Sequence, residues 1–122
     1  MEKKSESEVQ WKAVLNIKNE FGFSDDEMRS LLGDMSSDKY QYGCNNLSGT
    51  LNENELMRLS YLLGIYKGLR MLFTEHKQSV TWLDRDNSMH PFEGVAPKQY
   101  ILSGGEDELS KTRKFIDNWC NR

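Results

Sequence analysis

Cysteine is scarce in this chain of 122 residues: Cys44 and Cys120 are the only two, and they lie far apart. Neither belongs to a CxxC pair, and the two histidines, His76 and His90, do not stand at zinc-ligand spacing from them. Reduced thiols in a cytoplasmic protein are therefore expected. Long hydrophobic runs are missing as well. No stretch approaches the roughly 18 apolar residues of a membrane span. The charged opening Met1-Glu2-Lys3-Lys4-Ser5-Glu6-Ser7-Glu8 has no apolar run behind it to act as a signal peptide. No nucleophile–base constellation, phosphate loop or metal cluster stands out, so no catalytic residue, metal or cofactor is expected. No strand-like alternation exceeds a few residues, and no segment repeats.

What is present suits a small helical protein. Sixteen basic and nineteen acidic side chains leave a net charge of −3, and three Trp, five Tyr and five Phe supply core material. The length fits one domain or two small interlocked ones, with a core small relative to surface, which favours oligomerisation or burial against a partner.

Residues 1–8 lack apolar periodicity and are expected to form a disordered tail. From Val9 a helical face follows through Trp11, Val14, Leu15, Ile17 and Phe21, with Gly22 as its stop. Ser24 and Glu27 have the spacing of a capping box, flanked by Phe23 and Met28 as a hydrophobic staple, and predict a helix from Asp25 to Leu32 that ends at Gly33. A short second helix near Ser37–Tyr42 follows, capped by Ser36 or Ser37, with Asn45 and Asn46 in a loop. The longest helix is expected to open at Thr50 and run to Phe73 on a stripe of leucines and Tyr66. Gly64 and Gly68 interrupt it at four-residue spacing. They mark either a face where another helix, or a second copy, approaches closely, or a break into two helices.

The segment Trp82–Gly105 has the composition of a docking surface, with aromatic and proline anchors alternating with turn residues. Val80–Leu83 begins a short helix, Pro91 biases His90 to extended backbone, and Pro97 opens a helix from about Ala96 to Leu102. Gly104-Gly105 stops it. Glu106-Asp107-Glu108 then sits at the favourable end of a last helix whose apolar stripe is Leu109, Thr112, Phe115, Ile116 and Trp119. Trp82, Phe92 and Pro97 can equally close a satellite core.

These residues carry a resemblance. Arg58-Leu59-Ser60, Leu63-Gly64-Ile65-Tyr66, Leu72-Phe73, Trp82-Leu83, Asn87, Phe92-Glu93-Gly94, Pro97 and Gly104-Gly105 recur in the order and spacing of the toxin-binding domain of the Xre/MbcA/ParS antitoxin family. The stretch Ser24–Tyr42, with Leu31-Leu32-Gly33, resembles the helix-turn-helix half of the same family, so the likeness spans about residues 9–120. Asp86 departs from it, standing where the family usually has a proline.

The resemblance implies a mainly α fold: a helix-turn-helix-like half, 9–50, packed on a helical toxin-binding half, 51–122, with at most a short β element. It implies a type II antitoxin, not an enzyme, that binds a RES-domain, NAD-degrading toxin and covers its active site. The expected toxin contacts are Trp82, Asn87, Phe92, Gly94, Pro97, Arg113, Lys114 and Arg122, the last three as cations reaching the toxin's pocket. A homodimer is expected, since dimerisation is common in the family, and no membrane partner. Operator DNA is a second implied partner, through Lys39, Tyr40, Gln41, Tyr42 and Asn45. Against it, residues 1–50 hold six basic side chains and nine acidic ones, whereas DNA affinity rests on Lys and Arg at phosphates. A retained helix pair that binds no operator is the competing interpretation. A stand-alone DNA-binding regulator without a toxin is the alternative function.

Overall fold

The computed structural model describes residues 5–121. It is mainly α: α1 Glu6–Phe21, α2 Asp25–Leu31, α3 Ser37–Asn46, α4 Glu53–Leu72, α5 His76–Val80, a 3-10 turn Trp82–Asp84, α6 Pro97–Ser103 and α7 Glu106–Cys120. Among the described residues there is no strand. No described helix is long and apolar enough to cross a membrane. The chain divides into two compact units after Leu59, later than the expected boundary at residue 50. The shift has a local cause: Leu51, Glu55 and Leu59 are buried, and Glu55 is bonded to Lys39 of α3.

In the first unit α1 starts at Glu6, so residues 6–8 are its first turn rather than tail, with Ser5 accepting from the Glu8 amide. Residues 1–4 of the expected tail lie outside the described residues. Trp11, Val14, Ile17 and Phe21 form the buried stripe, spaced three, three and four apart. Val9 falls off that stripe and is exposed. Gly22 ends the helix at φ 71°, a left-handed conformation that glycine adopts without strain. The Ser24–Glu27 capping box forms as expected, at 3.0 and 2.8 Å. Ser36 caps α3, which runs to Asn46 instead of stopping near Tyr42. Its extension is held by packing: Gly43 lies so close to Trp11 that a Cβ there would enter the indole, and the Trp11 indole N–H donates to the Gly49 carbonyl at 2.9 Å.

α4 opens at Glu53 rather than Thr50, because Asn52 and Glu55 form a second capping box, each side chain accepting from the other's amide at 2.8 Å. The same Glu55 oxygen accepts from the Lys39 ammonium at 2.7 Å. Glu55 is 6% exposed, so its charge depends on these partners. Glu55→Ala removes a cap, worth about 1 kcal/mol, and leaves Lys39 without its carboxylate. A loss of about 2 kcal/mol is expected, read as a lower urea midpoint at unchanged slope, with Glu55→Gln losing less because it keeps the capping oxygen.

In the second unit α4 continues unbroken through Gly64 and Gly68. Leu62, Ile65 and Leu69 of α4 and Leu109, Thr112 and Ile116 of α7 are almost fully buried. A Cβ at Gly64 would strike the Arg113 guanidinium, and one at Gly68 would strike the Ile116 side chain. The glycines thus admit α7 of the same chain. This excludes the helix break and accounts for both glycines within one chain. Gly68→Ala adds a methyl against Ile116 Cγ2 and should cost about 1–3 kcal/mol, measured by chemical denaturation; Ile116→Leu in the same chain, which has no methyl branch on Cβ, should return part of it.

Pro97 stands at the first turn of α6 as expected. The Glu108 carboxylate accepts from the Gly105 amide at 2.6 Å and caps α7.

Candidate functional site

The second unit builds its most distinctive surface from a tied loop and one face of α7. Residues Asn87 to Val95 form a closed loop: the Asn87 amide donates to the Val95 carbonyl at 3.1 Å and the Gly94 amide to the Asn87 carbonyl at 2.7 Å. The Asn87 side chain accepts from the Met89 amide at 2.9 Å. Glu93 and Gly94 both take positive φ, at 53° and 102°, which turns the chain back and swings Phe92 inward. The His90-Pro91 bond is cis.

Phe92 is 2% exposed and Trp82 6% exposed. They join a cluster of rings. Trp82 lies 5.7 Å from Phe92, 5.9 Å from Phe115 and 6.1 Å from Trp119 between centroids; Phe92 lies 5.2 Å from Phe115 and 5.4 Å from Tyr100; Phe73 meets Trp119 edge-on at 5.8 Å. Most of these contacts are tilted or edge-to-face, the geometry aromatic quadrupoles prefer. Pro97 is buried too. Trp82, Phe92 and Pro97 are therefore core residues of the free chain and do not offer the direct contact surface expected of them. They hold the loop in place.

What the cluster leaves open is a groove. Phe115 and Trp119 are only half-buried and form the floor of a depression of about 360 Å³, bounded by Asn87, Met89, His90 and Asn118. A second depression, of about 230 Å³, shares His90, Phe115 and Asn118 and continues to Pro91, Lys111 and Lys114. Met89, a flexible apolar side chain, is 51% exposed at its edge.

Of the expected toxin contacts, Asn87 and Lys114 line this groove, and Gly94 is exposed in the same loop. Arg113 points elsewhere. Its guanidinium donates to the Ser60 carbonyl at 3.2 Å and pairs with Asp117 at 3.6 Å, so it ties α7 to α4 and is not a loose cation awaiting a partner. Arg122 lies outside the described residues. Sequence patterning missed Met89, His90, Lys111 and Asn118. The α7 members were findable: Lys111, Lys114 and Asn118 recur at helical spacing beside the apolar stripe.

The first unit places the expected DNA contacts unevenly. Gln41, Tyr42 and Asn45 are exposed on α3. Tyr40 is 1% exposed, and its hydroxyl donates to the Asp25 carboxylate at 2.8 Å, so it braces α3 against α2 and cannot touch a phosphate. Lys39 is held by Glu55, and Asp38 is exposed beside it. Burial and the bond to Asp25 push the Tyr40 hydroxyl well above its usual range. Burial raises the Cys44 thiol, which makes it a poor nucleophile. Among the described residues no three His, Cys, Asp or Glu side chains gather as a metal ligand set.

The Tyr40 hydroxyl, and then Lys18 at 3.4 Å, hold the Asp25 carboxyl below its ordinary 3.8. The Gly105 amide likewise lowers Glu108 below 4.5. Both groups are more acidic folded than unfolded. Their stabilisation is therefore complete above these ordinary values and is lost as pH falls through the lower folded ones. Denaturant midpoints should drop below about pH 4, and the combined Asp25→Asn, Glu108→Gln chain should show a shallower drop there.

No family model matches the chain. It is 29% identical over 105 residues to an uncharacterized protein, y4oB, of Sinorhizobium fredii, and that match takes in 86% of this chain and 79% of the other.

Proposed function

We propose that this chain is the antitoxin of a type II toxin–antitoxin module that binds a RES-domain, NAD-degrading toxin and covers its active site. The observation that carries the proposal is the groove of the second unit: aromatic floor, exposed Met89, polar rim and a loop fixed from beneath by buried rings. An uncovered apolar depression with polar edges on a small chain suits protein docking. The rigid loop suits it further, because a preorganised surface loses little entropy on binding. The sequence likeness to the Xre/MbcA/ParS family supplies the identity of the partner. In this reading Asn87, Gly94 and Lys114 touch the toxin together with Met89, and Trp82, Phe92 and Pro97 act through the shape they impose. The antitoxin works as a homodimer and in the cytoplasm, where NAD and the operon are.

Repression of its own operon is the second activity, and the stand-alone regulator is the second reading. The exposed amides Gln41 and Asn45 favour it. The pairing of Lys39 with Glu55 works against it, since few cations remain to hold phosphates.

A RES-type reading frame beside this gene would favour the antitoxin; its expression should arrest growth, and adding this chain should restore growth and yield a co-purifying complex. Promoter binding with a steep salt slope and no captured toxin would instead establish the regulator.

A further inference from the structure

We propose that the groove takes a short acidic segment carrying one large apolar side chain, presented by the protein partner; this rests on the docking reading of the same groove. The two adjoining depressions differ in chemistry. One is floored by Phe115 and Trp119 and is roomy enough, at about 360 Å³, for an aromatic or long aliphatic side chain. The other is bordered by Lys111 and Lys114, both exposed, and by His90. Nineteen of the chain's side chains are acidic, yet none lines either depression; Glu93 stands at the rim, 3.2 Å from the His90 ring, so the positive charge is that of Lys111 and Lys114. A chain of net charge −3 therefore presents a locally cationic docking face. Lys111 and Lys114 lie one helical turn apart on α7, about 5–6 Å between their Cβ atoms, so one extended stretch of partner reaches both. Carboxylates there gain from two ammonium groups that remain partly hydrated, and the apolar side chain supplies the buried contact between Met89 and Trp119. The charge pattern rejects a basic segment and speeds encounter with an acidic one.

The probes are the blocked peptide Glu-Glu-Phe-Glu-Glu and its counterpart Lys-Lys-Phe-Lys-Lys, titrated into the full chain at low ionic strength. Binding is followed by NMR shifts at the Trp119 indole and at Lys111, Lys114 and Phe115. The acidic peptide should saturate with shifts confined to the groove. Its affinity should fall at least tenfold in the Lys111→Glu, Lys114→Glu chain and on moving to molar salt, while the basic peptide shows no saturable binding to the native chain. Equal binding of both peptides, or none by the acidic one up to millimolar concentration, overturns the inference. So does sedimentation showing that the charge-reversed chain loses a dimer the native chain forms, because the groove is then filled by a second copy. Toxin capture separates this inference from the reading beneath it. If Met89→Asp weakens capture and the lysine reversal does not, the toxin reading stands and the acidic segment falls. If no toxin is captured, the reading falls, and the peptide titration still decides the chemistry of the groove.

Discussion

Trp82→Ala is expected to cost about 3–5 kcal/mol, the usual range for emptying a large aromatic site in a core. In a domain of this size that is a large share of a total near 5–15 kcal/mol, so the second unit should melt well below the native chain and expose apolar surface. The size of the effect follows from what the ring touches. Trp82 meets Phe92, Phe115 and Trp119 within about 6 Å, and its removal leaves three rings facing a void that α7 and the tied loop cannot close without moving. Phe92→Ala should behave alike for the same reason, while Trp82→Phe should recover part of the loss. Thermal unfolding of the purified chain without any partner is the check. A docking anchor gives the opposite pattern: an unchanged melting temperature with weakened partner binding. An unchanged melting temperature would therefore return Trp82 to the contact surface and remove the support beneath the loop.

The second large effect belongs to Met89. It is exposed and stands at the edge of the aromatic depression. Met89→Asp should leave folding stability within about 0.5 kcal/mol, as for most surface changes. It should weaken capture of the protein partner by about 30-fold or more, the scale of a central apolar contact of about 2 kcal/mol. The aspartate sets a charge against a surface that needs to shed water on docking. Calorimetric titration of partner into native and variant chains reads this directly. Equal affinities would exclude the groove as the docking site, whatever the partner is.

How much of this was legible depends on the range of the interactions. The Ser24–Glu27 capping box, Gly22 as a helix stop and Pro97 at a helix start are local, and each appears where its residues stand. Asn52–Glu55 carries the same reciprocal pattern just past Thr50. Tyr40 was misplaced because its fate is set by Asp25, fifteen residues earlier, which no helical periodicity reveals. The continuation of α3 through Asn45 and Asn46 defies their weak helix propensity, since close packing of Gly43 on Trp11 holds it. The stop at Leu47, at φ 51°, has no sequence signal. The segment Trp82–Gly105 reads in sequence as a docking surface or a satellite core, and composition alone does not separate the two. Its largest residues turned inward to meet rings supplied by α7, and a helix whose stripe reads as core gave the groove its floor. Composition could nominate the segment; only the pairing of loop and helix could say which side chains remain outside.

The central claim is that this chain disarms an NAD-degrading toxin through that groove. Cellular NAD, measured after inducing a candidate RES-domain toxin together with the native chain or with Met89→Asp, tests it most directly. The account predicts NAD near the uninduced level with the native chain and depleted NAD with the variant, both chains being present in equal soluble amount. NAD depleted with the native chain, or preserved equally by both, would contradict it.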